Sequence, residues 1–147
     1  MELIDIIPNS MSFRIVSTLD VPDGTDAPAG FTGRVRRHLD GRLVSVAWYQ
    51  DGVLHNPGRH HPAFRHFRAT GQVKYELWYS EGSLQDPAYD APAVRGYYAD
   101  GTVHYEERWT LGRRQDGADS APAIRKWRAD GTLRHERHYR AGGKIVA

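Results

Sequence analysis

The sequence predicts an all-β chain of antiparallel hairpins, and three observations predict it. A phrase recurs every 30 residues, as "PAFRHFRATGQVKYELWY" from Pro62, "PAVRGYYADGTVHYEERW" from Pro92 and "PAIRKWRADGTLRHERHY" from Pro122. Within each copy, two runs of alternating side chains flank a turn dipeptide. No run carries the amphipathic period of a helix that would cover a sheet. We therefore expect about four hairpins stacked into one elongated, twisted antiparallel sheet, with a closed sandwich or barrel as the alternative layout.

Taken in order, residues 1–31 are expected to form an N-terminal cap. "MSFRIVSTL" reads as a capping strand, and "DGTDAPA" resembles the later linker "DGADSAPA", which makes residues 11–31 a degenerate leading copy. Residues 32–147 are the repeat domain, continuous with the cap as one structural domain. Gly41, Gly71, Gly101 and Gly131 fall in one column, Gly52, Gly82, Gly112 and Gly142 in a second, and Tyr49, Tyr79, Trp109 and Tyr139 in a third.

The dipeptides Asp40-Gly41, Thr70-Gly71, Asp100-Gly101 and Asp130-Gly131 predict two-residue type I′ turns, because both turn residues need positive φ and glycine accepts it freely. The polar stretches "SEGSLQDPAYDAP" and "LGRRQDGADSAP" then read as connecting loops.

A two-residue turn fixes which residues face each other. Counting outward pairs Arg65 with Glu76, Arg95 with Glu106 and Arg125 with Glu136, opposite charges in three copies, and Val35 with Val46 in the first. The next positions on that face set Phe67 opposite Lys74, Tyr97 opposite His104 and Trp127 opposite Arg134. The other face carries Phe64, Val94, Ile124, Leu43, Val73, Val103 and Leu133 with the Tyr/Trp column, and is the predicted core.

The columns "ADGTVHYEERWTLGR", "ATGQVKYELWYSEGS" and "LDGRLVSVAWYQDGV" resemble the MORN-repeat variant of bacterial antitoxin and immunity-like proteins, over about residues 32–142. The sequence departs from that pattern in its 30-residue unit and in "GFTG" after Pro28-Ala29. The resemblance implies β-hairpin arrays that bind other proteins, in some cases lipids, without catalysis.

Composition narrows the chemistry. The 147 residues contain no cysteine, which excludes disulfides, thiolate metal sites and cysteine nucleophiles. Twenty Lys and Arg against 18 Asp and Glu leave +2, interleaved rather than gathered in a basic stripe. "MELIDIIPNSMSF" lacks the basic and apolar regions of a signal peptide, so a cytoplasmic location is the default expectation. His55, His60, His61 and His66 crowd one loop, but no ligand spacing accompanies them, and neither a metal nor a cofactor is expected.

Glu76, Glu106 and Glu136 each face an arginine, which favours the ionised form and suits structural pairing better than acid catalysis. A non-enzymatic role follows. The candidate binding residues are Trp78, Arg95, Tyr97, Arg108, Arg125 and Trp127, types enriched where proteins meet. The expected partner is another protein, such as a toxin or effector. The alternatives are nucleic acid or anionic lipid held by the arginines and aromatics, and self-association through edge strands.

Overall fold

The computed structural model describes residues 2–9, 12–87, 91–140 and 143–145, with side chains from Ser17 onward except Asp119 and the last strand. Its strands are β1 (Glu2–Asn9), β2 (Ser12–Pro22), β3 (Gly33–Leu39), β4 (Arg42–Gln50), β5 (Val53–Leu54), β6 (Phe64–Phe67), β7 (Val73–Leu77) and β8 (Tyr79–Ser80). They continue as β9 (Ser83–Leu84), β10 (Val94–Tyr97), β11 (Val103–Glu107), β12 (Trp109–Thr110), β13 (Arg113–Arg114), β14 (Ile124–Trp127), β15 (Leu133–Arg140) and β16 (Gly143–Ile145). The described residues contain no α-helix, only a short 3-10 turn at Ala118–Ser120.

One large sheet runs in the order β1-β2-β3-β4-β6-β7-β10-β11-β14-β15-β16, and its two ends do not meet. The chain is therefore all-β and open, and the closed alternative is set aside. The sheet is mixed rather than antiparallel throughout, because β2 lies parallel to β3, with Thr18 opposite Arg34 and Pro22 opposite His38. Ten residues separate Pro22 from Gly33, enough for the chain to return to the start of β2 before β3 begins.

Polar contacts hold this parallel joint. Arg36 donates from Nε and Nη2 to the two oxygens of Asp20 at 2.8 and 2.9 Å, His38 Nε2 lies 2.9 Å from Asp20 Oδ1, and Arg34 Nε donates to the buried Thr18 hydroxyl. Gly33 fits here because its φ is +143° and a side chain would collide with the Ser17 carbonyl.

The turns differ from expectation in an informative way. Asp40 and Gly41 have φ of 51° and 76°, the predicted type I′ pair. At the other three tips only the glycine has positive φ, and Gly71, Gly101 and Gly131 donate to the carbonyls of Arg68, Tyr98 and Arg128. These are three-residue loops with glycine in the left-handed region. Asp100 and Asp130 stay at negative φ and instead accept from the N–H and hydroxyl of Thr102 and Thr132.

The longer loop shifts the register by one residue, and a bulge on the second strand shifts it back. Arg65–Glu76, Arg95–Glu106 and Arg125–Glu136 consequently do face each other. Beyond the bulge the expected pairs fail: Phe67, Tyr97 and Trp127 face Val73, Val103 and Leu133 rather than basic residues. In the first hairpin the tip is two residues and the bulge remains, so Val35 faces Ala47 and not Val46.

The second glycine column, read as loop, forms further hairpins. Asp51-Gly52, Glu81-Gly82 and Leu111-Gly112 each have both residues at positive φ and close β4–β5, β8–β9 and β12–β13. Glu81 and Leu111 concealed the turn because only the glycine announced it, whereas Asp51-Gly52 is the same dipeptide as Asp40-Gly41. Gly142 lies outside the described residues. Successive tips are tied by single bonds, from Gly82 N–H to Leu54 O and from Gly112 N–H to Leu84 O.

A third column fastens the connecting segments to the sheet. Asp86 Oδ1 accepts from the N–H groups of Ala93 and Trp109, Asp116 Oδ1 from those of Ala123 and Tyr139, and Asn56 Oδ1 from that of Tyr79. Ala63, Ala93 and Ala123 beside these fasteners are fully buried, as are Val35 and Ala47. Of the predicted core face, Val94 and Ile124 are buried, whereas Leu133 is 47% exposed. The bulge places Leu133 opposite Trp127, on the side of the Arg–Glu row rather than that of Ile124, so it leaves the predicted core face.

Two predictions follow from these joints. Asp86→Ala leaves two main-chain donors without their acceptor and should cost about 2–4 kcal/mol in urea unfolding, while Asp86→Asn, which keeps the acceptor oxygen, should cost less than half of that. The pKa of Asp20 is held at about 2, chiefly by the Arg36 hydrogen bonds with His38 assisting, against the opposing effect of burial. Asp20 thus contributes stability above its unfolded pKa, and that contribution is lost as pH falls from about 4 through 2. Asp20→Asn should cost about 1–2 kcal/mol at pH 7, allowing for partial exposure, and the difference from the parent chain should close across that acid range.

Candidate partner-binding face

The Arg–Glu pairs belong to one row. Going across β6, β7, β10, β11, β14 and β15, the facing residues are Arg65, Glu76, Arg95, Glu106, Arg125 and Glu136. Strands lie about 4.8 Å apart, so each inner charge has an opposite charge on both sides. The sequence showed the pairs within hairpins. The pairing between hairpins, Glu76 with Arg95 and Glu106 with Arg125, emerges only once β7 lies against β10 and β11 against β14.

The row is tightest at its middle pair and loosest at its β15 end. Arg95 Nη2 lies 2.6 Å from Glu106, Arg65 Nε 3.2 Å from Glu76 and Arg125 Nε 3.9 Å from Glu136. The side chains of Glu76 and Glu106 are 14% and 17% exposed, against 45% for Glu136. Tyr97 strengthens the inner part by donating its hydroxyl to Glu76 Oε1 at 2.7 Å. Burial, then this bond and the Glu76 charge, push the phenol up to about 12, so Tyr97 stays a donor at physiological pH. Burial works against the Arg95 charge, but Glu106 and Tyr97 outweigh it and raise its pKa.

Neighbouring hairpin tips are also bridged. Arg68 Nη2 donates to the Tyr97 carbonyl at 2.8 Å and the Tyr98 hydroxyl to the Trp127 carbonyl at 2.7 Å, contacts that recur 30 residues apart between different chemical types. On the opposite face, the Tyr75 ring stacks with Phe64 and His66, and the Tyr105 ring fills the space left by the missing side chain of Gly96.

Of the six predicted binding residues, β10 and β14 bring Arg95, Tyr97, Arg125 and Trp127 to one face by strand alternation. Trp78 is 5% exposed and is not a surface residue. Arg108 is also withdrawn: it lies 3.7 Å from Asp86 and packs against Gly117, where any side chain would collide with it. Each donates its N–H to the alanine carbonyl of the next strand, Trp78 to Ala93 and Arg108 to Ala123, which accounts for their retreat from the surface.

The histidines serve separate local roles. His55 Nδ1 accepts from the Glu81 N–H, His66 stacks on Tyr75, and burial first, then neighbouring cations, lower the pKa of His61 and His66. Among the described residues no three acidic or histidine side chains are placed to hold a metal ion.

The fasteners Asn56, Asp86 and Asp116 escaped the sequence reading, although they stand 30 residues apart. Their partners share the spacing: Asp86 faces Arg108, and Asp116 lies 2.8 Å from His138 Nδ1, whereas Asn56 stands where the equivalent position is Trp78. Comparison with known proteins identifies no family, since no family model, curated protein or solved structure matches the chain. The face has to be interpreted from its own chemistry.

The uneven tightness of the row sets a test. Arg95→Ala removes the tight pair with the mostly buried Glu106 and should cost about 1–2 kcal/mol in urea unfolding, whereas Arg125→Ala, whose pair with the exposed Glu136 is loose, should cost under about 0.5 kcal/mol.

Proposed function

We propose that this chain is a non-enzymatic protein-binding module, acting by direct contact in the manner of antitoxin, immunity or inhibitor proteins. Its hairpins are, on this reading, copies of one unit of the MORN-repeat type suggested by the sequence. The observation that carries it is the alternating Arg–Glu row with Tyr97 and Trp127 beside it, a broad half-exposed face whose carboxylates are each committed to an arginine. Carboxylates tied to arginines in this way are anchored within the row rather than left to face a substrate, which favours recognition over acid catalysis. The surface supplies arginine and aromatic anchors of the kind that dominate protein interfaces.

The internal neutrality of the row also favours a protein over a polyanion. A nucleic acid or anionic membrane gains most from unpaired cations, and here each arginine of the row already has a carboxylate opposite. A protein partner with its own mixture of charges can meet an alternating row in register.

The test is affinity capture by the tagged full chain from its own host, at low and moderate salt, with protein and nucleic acid both analysed. We expect one protein in near-stoichiometric amount at both salts, and its loss when Arg125 and Trp127 are both changed to alanine. Capture of nucleic acid or lipid that elutes as salt rises, or of no stoichiometric protein, overturns the reading.

A further inference from the structure

The joint between the first two large hairpins differs from those that follow. Between the second and third tips Arg68 reaches across to the Tyr97 carbonyl, and between the third and fourth Tyr98 reaches the Trp127 carbonyl. The residue 30 positions before Arg68 is His38, and it turns the other way, to Asp20 on β2. Among the described residues no side chain bridges to the Phe67 carbonyl. Strands β4 and β6 pair over three residues, Ser45 to Ala47, as β7 with β10 and β11 with β14 do, so the missing side-chain bridge is what sets this joint apart.

The result is a cleft of about 350 Å³, within the range of small-molecule sites. Its apolar floor is the buried Val44 with the half-exposed Leu39 beside it, and around it Arg42, Arg68 and Lys74 set three cations against the single carboxylate of Asp23. Arg68 is already positioned, since its Nη2 is fixed on the Tyr97 carbonyl. His66 also lines the cleft, its ring stacked on Tyr75 at 5.1 Å between centroids. Three cations around an apolar floor match one ligand chemistry, a carboxylate on an apolar body: the guanidinium and ammonium groups bind the oxyanion, and the floor takes the hydrocarbon.

We propose that this cleft is a binding site for a small organic carboxylate, held by Arg42, Arg68 and Lys74 with its apolar part on Val44 and Leu39. The inference stands apart from the protein-binding reading, because the cleft lies at the tips of the first two hairpins and the Arg–Glu row does not line it.

His66 provides the readout. Burial, Lys74 and Arg42 lower its pKa and Asp23 works in the opposite direction, so an anion seated among the cations favours the imidazolium and raises it. The experiment is an NMR titration of every histidine in the full chain, in sodium benzoate, sodium acetate and sodium chloride at one ionic strength.

We expect benzoate to raise the His66 pKa above its value in chloride while His104 and His135 do not move. Acetate should do the same with a half-saturating concentration roughly tenfold higher, since it lacks the ring that covers the floor. The benzoate effect should vanish in Arg42→Ala/Lys74→Ala, substitutions at one half-buried and one exposed position. A His66 pKa equal in benzoate and chloride, equal movement of all three histidines, or a benzoate effect that survives the double substitution overturns the proposal.

Discussion

The sheet depends on how the main chain between its strands is satisfied. A fold with no α-helix among its described residues has no second layer to bury its connections, so their N–H groups need acceptors close at hand. The side-chain oxygen of Asp86 or Asp116 serves two at once, one just before the strand about to begin and one 23 residues further along the chain. This draws the connection onto the sheet and lets Ala93 and Ala123 be fully buried. A larger residue than alanine would hold the connection off and lengthen those bonds.

The choice between amide and carboxylate at the fastener follows what lies beside it. Asp86 and Asp116 have a cationic or protonatable neighbour in Arg108 and His138, and burial, which alone would raise the Asp116 pKa, is outweighed by the Tyr139 and Ala123 N–H groups and His138. Where the neighbouring position is Trp78, the fastener is Asn56, which accepts a hydrogen bond without bringing a charge against an indole. Structurally equivalent positions thus change together, as contact requires. Arg108, by appearance a surface arginine, is part of this fastening.

The sequence made some of this legible and hid the rest for definite reasons. The all-β class and the three Arg–Glu facings could be read from alternation and spacing. The pairs came out correctly although the turn was not as counted, because a three-residue tip and a bulge displace the register in opposite senses. One residue past the bulge the compensation ends, and Tyr97 faces Val103. Glu81 and Leu111 at positive φ could not be foreseen, since neither favours that conformation, whereas Asp51-Gly52 carries the same signal as Asp40-Gly41 and was legible as a turn. Trp78 and Arg108 were misplaced for a related reason: residue type suggests a surface role, but burial is decided by a connecting segment whose path composition does not encode.

The parallel strand at the start of the sheet explains why its two ends behave differently. Because β2 brings Asp20 beside β3, Arg36 and His38 turn toward it and are lost to the side facing the next hairpin. His38 cannot then bridge as Arg68 and Tyr98 do, and the first joint lacks the side-chain bridge that the later ones have. At the far end Glu136 has Arg125 on one side and no following arginine on the described part of the other, so the charge row ends loosely where the inner members are tight. An array of similar units presents distinct chemistry only where its regularity fails. Here that happens once at each end, through the turning away of one histidine and the open side of one glutamate.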